Sequence, residues 1–399
     1  MKPYDHQVTI AKQAISIIKE HMIVYLAMEE RTGKTLTSIL VCEGINVQNV
    51  LVITKKKAIS GWEDTLKAYT SKTKNYTVIN YESVHYIDPK KHFDLIIIDE
   101  AHANLSAYPK VGERWKVVAK LTKKKPIIFL SATPSAQTYA QLFHQLALST
   151  WSPWNNYKNF YEWFKVFGIP EYAYGAGGRQ IIKYNNVKAT EVFDTVKHLF
   201  ISYTRQDLGF KHEPNDVIHM VKLGANATKH YNDLNKNNML YLATEYIADT
   251  PMKLLMGLHQ IEGGTLKLSE TETIDLGNTE KIQYIQDTFG DTEDLVIFYH
   301  YKGEEQKLKK HFRFATILQA TSFAEGVDLS MYKTLVIYSM DFSTARYSQR
   351  RARQANMKRN EPIDVHYILV EKAISAQVYE TVAINKSNFI DKYFNRDIL

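Results

Sequence analysis

Four short runs of Ile, Val and Leu near the start of the chain limit what it can fold into: MIVYLAM (22–28), NVLVIT (49–54), FDLIIIDE (93–100) and KPIIFLSA (125–132). Each is too short for a buried helix and too continuously apolar for a strand with one wet face, which is the signature of strands covered on both sides in a parallel sheet. Helix-patterned stretches separate them, such as TLTSILVCEGI and GWEDTLKAYT, and that alternation predicts an open α/β sheet. The same texture returns in DLVIFYHY (294–301), FATILQA (314–320), TLVIYSM (334–340) and DVHYILV (364–370). Between the two blocks the chain is first aromatic and turn-rich, then helical. The expected fold is therefore α/β, with parallel-sheet domains at 1–150 and 278–399 and a mainly helical, aromatic-rich insertion at 151–277.

The 399 residues carry a formal charge of +7, which favours an anionic partner, nucleic acid before an acidic membrane. Cys42 is the only cysteine, so an intrachain disulfide and a cysteine-based zinc site are excluded, in keeping with a reducing cytoplasm. The start, MKPYDHQVTIAKQAI, lacks the apolar core of a secretory signal, and no apolar run has membrane-spanning length. The expected location is cytoplasmic, in a bacterial cell or a phage-infected host.

LAMEERTGKT (26–35) ends like the phosphate-binding pattern G-x-x-x-x-G-K-[ST], although Met28 stands at its first glycine and Arg31 where another glycine is expected. Gly33 supplies conformational freedom beside the phosphates, Lys34 a charge for the β and γ phosphates, and Thr35 a hydroxyl for Mg²⁺. FDLIIIDEAH then presents Asp99 and Glu100 at a strand end, where one carboxylate can hold magnesium through water and the other can activate the attacking water. KPIIFLSATP delivers Ser131, Ala132 and Thr133 from a further strand, which Pro134 ends.

In this order the motifs resemble those of superfamily 2 helicases and translocases, built on two RecA-like domains. The resemblance is nearest to the Swi/Snf-type branch, in a compact form like those carried by bacteriophages. DEAH matches its motif II, and SAT its motif III, which couples hydrolysis to movement. PYDHQ resembles the adenine-recognising segment, with Gln7 as base reader. LVITKKKAISGWEDTLKAY is similar to motif Ia and the tryptophan helix after it, and VINYESVH to motif Ib. MEERTGKT keeps Glu29, Gly33, Lys34 and Thr35 of that branch's D-E-M-G-x-G-K-T. LVIFYHYKGEEQKLKKHF resembles motif IV. QATSFAEGVDLSMYKTLVIY resembles motif V, with Gly326 and Asp328 toward the nucleotide and Thr321 toward nucleic acid. YSQRRARQANMKRNEP stands at motif VI: counted from Gln349, Arg353 matches the first arginine finger and Asn356 the second, with Arg350, Lys358 or Arg359 as substitutes in a shifted register. HLFISYTRQDLGF resembles the segment leading to the second domain, where Arg205 pairs with an acidic neighbour.

The resemblance implies a DNA-dependent ATPase motor using ATP and Mg²⁺, translocating on double-stranded or forked DNA and unwinding, annealing or remodelling it, as a monomer with a possible recruiting protein. It assigns hydrolysis to Lys34, Glu100, Arg353 and Arg350, and nucleotide contacts to Gln7, Gly33, Lys34, Thr35, Gly326 and Asp328. Thr35 and Asp99 take the metal, and Ser131, Thr133 and Gln349 the coupling. Nucleic-acid contacts fall to Lys55, Lys56, Trp62, Tyr81, Tyr299 and Thr321. Trp62 and Tyr81 fit base stacking or core packing, and the aromatic stretch 151–163 a small core or a DNA wedge. Two other functions are compatible with the chain: a DNA-binding scaffold whose hydrolysis has decayed, given Met28, Arg31 and Asn356, and an RNA helicase, since the same engine runs on RNA.

Overall fold

The apolar runs of the first half fold as β1 (Ile23–Met28), β2 (Asn49–Thr54), β3 (Asn75–Asn80), β4 (Leu95–Asp99) and β5 (Ile127–Ser131). This computed structural model describes residues 2–69, 74–88, 91–135, 138–174, 180–209, 214–242, 244–320, 332–340, 342, 347 and 363–385. The chain divides into two compact units, Met1–Gly209 and Phe210–Asp391.

In the first unit, β6 (Glu171–Tyr174) and β7 (Gln180–Lys183) pair antiparallel, and β8 (Phe200–Tyr203) completes a six-stranded sheet ordered β3-β2-β4-β5-β1-β8, parallel throughout. Every residue of β1 is buried, as expected of a strand covered on both faces. The helices α1 (Asp5–His21), α2 (Lys34–Glu43), α3 (Ile59–Tyr69), α4 (Ala101–Asn104) and α5 (Glu113–Thr122) fall between strands or before them. Because the strands are parallel, β1, β2, β4 and β5 end on one edge at Met28, Thr54, Asp99 and Ser131. Open α/β sheets bind their ligands outside this carboxyl edge.

The second unit holds a five-stranded parallel sheet. Its strands are β9 (Pro214–Val221), β14 (Leu295–Tyr299), β15 (Thr316–Gln319), β16 (Thr334–Ile337) and β17 (Ile363–Val370), ordered β15-β14-β16-β17-β9. Two short antiparallel pairs, β10 with β11 (Met239–Tyr241, Glu245–Ile247) and β12 with β13 (Thr265–Lys267, Thr273–Asp275), lie between β9 and β14 in the chain. Alternate strand residues face opposite layers. Val296, Phe298, Leu335 and Ile337 pack with Leu258 and Ile261, whereas Ile297, Val336 and Ile368 pack with Ile282, Ile285 and Leu308. Both units are thus built on parallel sheets covered by helices, as the strand patterns led one to expect.

The segment 151–277 is not a separate insertion. Its first part belongs to the first unit, through α7 (Phe160–Phe167), α8 (Ala189–Val196) and β8. Its second part joins the other unit through β9, α9 (Ala225–Asn237) and α10 (Pro251–Glu262). The two strands it contributes to the main sheets, β8 and β9, are edges, and β9 buries only its end residues Pro214 and Val221, so neither carries the continuous apolar run of a central strand. The aromatic stretch is a hydrophobic core: Trp154, Phe160, Trp163 and Phe167 are buried, and the Trp154 and Trp163 rings lie 5.3 Å apart. Among the described residues no helix is long and apolar enough to cross a membrane.

Candidate nucleotide-binding site

At the end of β1 the chain turns through Glu29–Gly33 into α2. Two residues of this turn have left-handed backbones, Gly33 (φ 85°) and Arg31 (φ 64°). The turn thus retains the shape that a glycine at 31 would favour, with a non-glycine residue bearing the strain. Thr32 Oγ1 closes the turn on Glu29 O at 2.7 Å, and Lys34 Nζ donates to Met28 O (2.8 Å) and Glu29 O (2.9 Å). The loop therefore encircles its own ammonium group at the N-terminus of α2. Gln7 is buried against this turn. Its Oε1 accepts from Tyr4 N at 2.9 Å, and a Cβ added to Gly33 would lie 2.0 Å from its Nε2. Arg205 closes the other side, with Nε 3.7 Å from Glu29 Oε2 and Nη1 3.5 Å from Glu30 Oε2. Arg205 meets the acidic neighbours expected of it.

Asp99 ends β4, half-buried, and its Oδ2 accepts from Thr54 Oγ1 (2.7 Å) and Trp62 Nε1 (3.1 Å). Tyr81 Oη holds the Asp99 carbonyl at 2.6 Å. Burial, and then the neighbouring Glu100 charge, pushes the Asp99 carboxyl above its ordinary range, while the Thr54 and Trp62 hydrogen bonds and Lys34 pull it back. Both of these donors fall on one oxygen. An acceptor-only carboxylate oriented in this way suits a magnesium-bound water, and Thr35, first turn of α2, brings the hydroxyl to the same edge.

Glu100 follows in a left-handed conformation (φ 54°) as the N-cap of α4, an unusual backbone of the kind found at functional turns. Its Oε2 lies 3.5 Å from His102 Nδ1. His102 in turn meets Ser131 Oγ at 2.7 Å through Nδ1 and Thr133 Oγ1 at 3.4 Å through Nε2. DEAH and SAT are therefore joined by a buried side-chain network. Burial pushes the His102 imidazole down to about 3, so it is neutral at ordinary pH. Sequence reasoning singled out Ser131 and Thr133 but not His102, nor Thr54.

Lys55, Lys56 and Lys57 line a groove of about 520 Å³ with Asn80, Ser83, His85, Tyr86 and Asn104. The aromatic candidates for nucleic acid do not fit that role. Trp62 is 1 % exposed and spends its N–H on Asp99, and Tyr81 is 3 % exposed with its hydroxyl on the Asp99 carbonyl. Tyr299, 3 % exposed, belongs to the core of the second unit. Trp62 and Tyr299 offer no face on which a base could stack, and Tyr81, which lines the lysine groove beside Glu82, exposes too little of its ring to offer one. Thr321, Gly326, Asp328, Gln349, Arg350 and Arg353 lie outside the described residues.

Residues 60–136 are similar to the family described as "Type III restriction enzyme, res subunit". That match takes in Trp62, Tyr81, Asp99, Glu100, His102, Ser131 and Thr133 and does not include the 29–35 loop. Comparison with curated proteins gives no match. Among solved structures, a Sulfolobus solfataricus SWI2/SNF2 ATPase core in complex with dsDNA is similar over 99% of this chain and 95% of that one, with 15% identity and a TM-score of 0.45.

Proposed function

We propose that this chain is a DNA-dependent ATPase motor that translocates on double-stranded DNA. The observation that carries the reading is one sheet edge where the Gly33–Lys34–Thr35 loop, the Asp99–Glu100 pair and the His102–Ser131–Thr133 network follow strands β1, β4 and β5. Backbone N–H groups at the start of α2 and the Lys34 ammonium bind the phosphates, the lysine exchanging its carbonyl partners for phosphate oxygens. Thr35 and Asp99 hold Mg²⁺, which when bound screens the phosphate charge. Glu100 orients a water and takes its proton as the water attacks the terminal phosphorus. Arg353 and Arg350, which lie outside the described residues, are assigned by the resemblance to neutralise charge on the transferred phosphoryl group. Gln7, set against Gly33, reads the adenine.

Lys55 and Lys56 in their groove grip backbone phosphates, contacts that carry no sequence information and so suit a motor. Remodelling, unwinding or annealing of DNA follows from the stepping. The test is ATP turnover titrated with single-stranded DNA, duplex, forked DNA and RNA. Duplex or forked DNA is expected to stimulate most. Preference for RNA would replace the reading with an RNA helicase, and absence of stimulation with a scaffold whose hydrolysis has decayed. Lys34→Ala and Glu100→Gln are each expected to abolish turnover while DNA binding persists; normal rates in both would refute the site.

A further inference from the structure

The phosphate loop carries two carboxylates in a site that receives a polyanion. Glu29 and Glu30 precede Lys34 within the turn, and Asp99 and Glu100 stand on the same sheet edge. The loop's own cations are Arg31 and Lys34, and the Lys34 ammonium is already engaged by the carbonyls of Met28 and Glu29. Arg205, 5 % exposed, is the cation that reaches both loop glutamates, through Nε to Glu29 (3.7 Å) and Nη1 to Glu30 (3.5 Å). Its backbone N–H also donates to Glu29 Oε2 at 2.7 Å, and the Glu29 N–H returns a bond to Tyr203 O at 3.1 Å, beside the Met28–Tyr203 register of β1 with β8. A guanidinium is charged at every accessible pH and holds a planar fork, and burial keeps its field from being screened.

We infer that Arg205 is a positioning residue of the nucleotide site: it neutralises Glu29 and Glu30 and holds their carboxylates toward β8, away from incoming phosphates. This rests on the proposed ATP site. Without Arg205, about one uncompensated unit charge at roughly 10 Å from the phosphates, at an effective dielectric of about 20, weakens polyanion binding by roughly tenfold.

The experiment measures binding of a fluorescent ATP analogue with Mg²⁺ and steady-state kinetics on the full chain. Arg205→Gln is expected to raise Kd and KM about tenfold with kcat changed less than about threefold. Combining it with Glu29→Gln and Glu30→Gln is expected to restore binding, because the repulsion is gone with the carboxylates. A purely structural role would lower kcat and thermal stability together and would not be rescued. Arg205→Lys, which keeps the charge on a folded chain should Arg205→Gln fail to fold, gives up the planar fork and is expected to lose affinity by less than the roughly tenfold of Arg205→Gln. Unchanged affinity in Arg205→Gln, failure of the triple variant to regain it, or a tenfold loss in Arg205→Lys would each overturn the inference. Absence of nucleotide binding by the wild-type chain would overturn the ATP site with it.

Discussion

Replacing Thr54 by Val tests whether neutral donors keep Asp99 in its working state. Thr54 ends β2 fully buried, and its hydroxyl donates to Asp99 Oδ2 at 2.7 Å beside the Trp62 N–H at 3.1 Å. Valine has the same branched shape, so the substitution removes one donor with little change of volume. A hydrogen bond to a charged group contributes about 1.5–3 kcal/mol, and Asp99 is only half-buried, so solvent screening brings the loss to about 1.5–2 kcal/mol. The loss moves further upward a carboxyl already raised by burial and by Glu100. With its pKa raised, the folded state binds the proton more readily than the unfolded chain. The Asp99 contribution to stability is then fully present below the unfolded pKa and lost as pH rises through the folded one. Thr54→Val moves that folded value up and so widens the loss near neutrality. Urea unfolding of the first unit is expected to show the variant about 1.5–2 kcal/mol less stable at pH 7.5, with the gap narrowing toward pH 4.5. The acid limb of ATP turnover should move to higher pH. An equal loss at both pH values with an unmoved acid limb would refute the reasoning.

Arg31→Gly relieves a left-handed backbone (φ 64°) and is expected to stabilise the first unit by about 0.5–1 kcal/mol, the steric relief being partly offset by chain entropy. A rise in melting temperature with ATP binding retained is the sign to look for, and a fall counts against it. In the second unit, burial pushes Glu304 up to about 7 although its Oε2 accepts from Ser339 Oγ (2.5 Å), Tyr301 N (3.0 Å) and His300 N (3.2 Å). A carboxyl raised in the folded state loses its contribution as pH rises through that value. Glu304→Gln is therefore expected to gain stability relative to wild type between pH 6 and pH 8 in urea unfolding, and a constant difference would count against a raised Glu304.

The strand cores and the order of the chemical motifs were legible because each is a local pattern. An apolar run followed by Gly33–Lys34–Thr35, or by Asp99–Glu100, places its chemistry at a strand end whatever the distant packing. What escaped depends on partners far away in the chain. The Trp62 indole looks like a stacking platform until the fold brings its N–H to Asp99, and Tyr81 differs from a base-binding tyrosine only in where its hydroxyl ends. Tyr299, a nucleic-acid candidate within the stretch that resembles motif IV, closes a strand with its ring in the core. The strands β8 and β9 escaped for another reason. Edge strands bury one face or a few residues and resemble ordinary connecting sequence, and so 151–277 was read as an insertion.

The link between DEAH and SAT is built to carry orientation rather than charge. Ser131 Oγ receives the Thr133 N–H at 3.0 Å. The same Ser131 Oγ meets His102 Nδ1 at 2.7 Å, and Thr133 Oγ1 meets Nε2 at 3.4 Å. Burial pushes this imidazole down to about 3, so the ring is neutral at ordinary pH. Asp99 obeys the same logic, since Thr54 and Trp62 hold it by neutral donors. A shift of the Ser131–Thr133 turn would therefore act on the His102 ring, which both hydroxyls contact and which lies 3.5 Å from Glu100 Oε2. Movement of that turn would change the packing beside the residue proposed to activate water without adding or removing a charge.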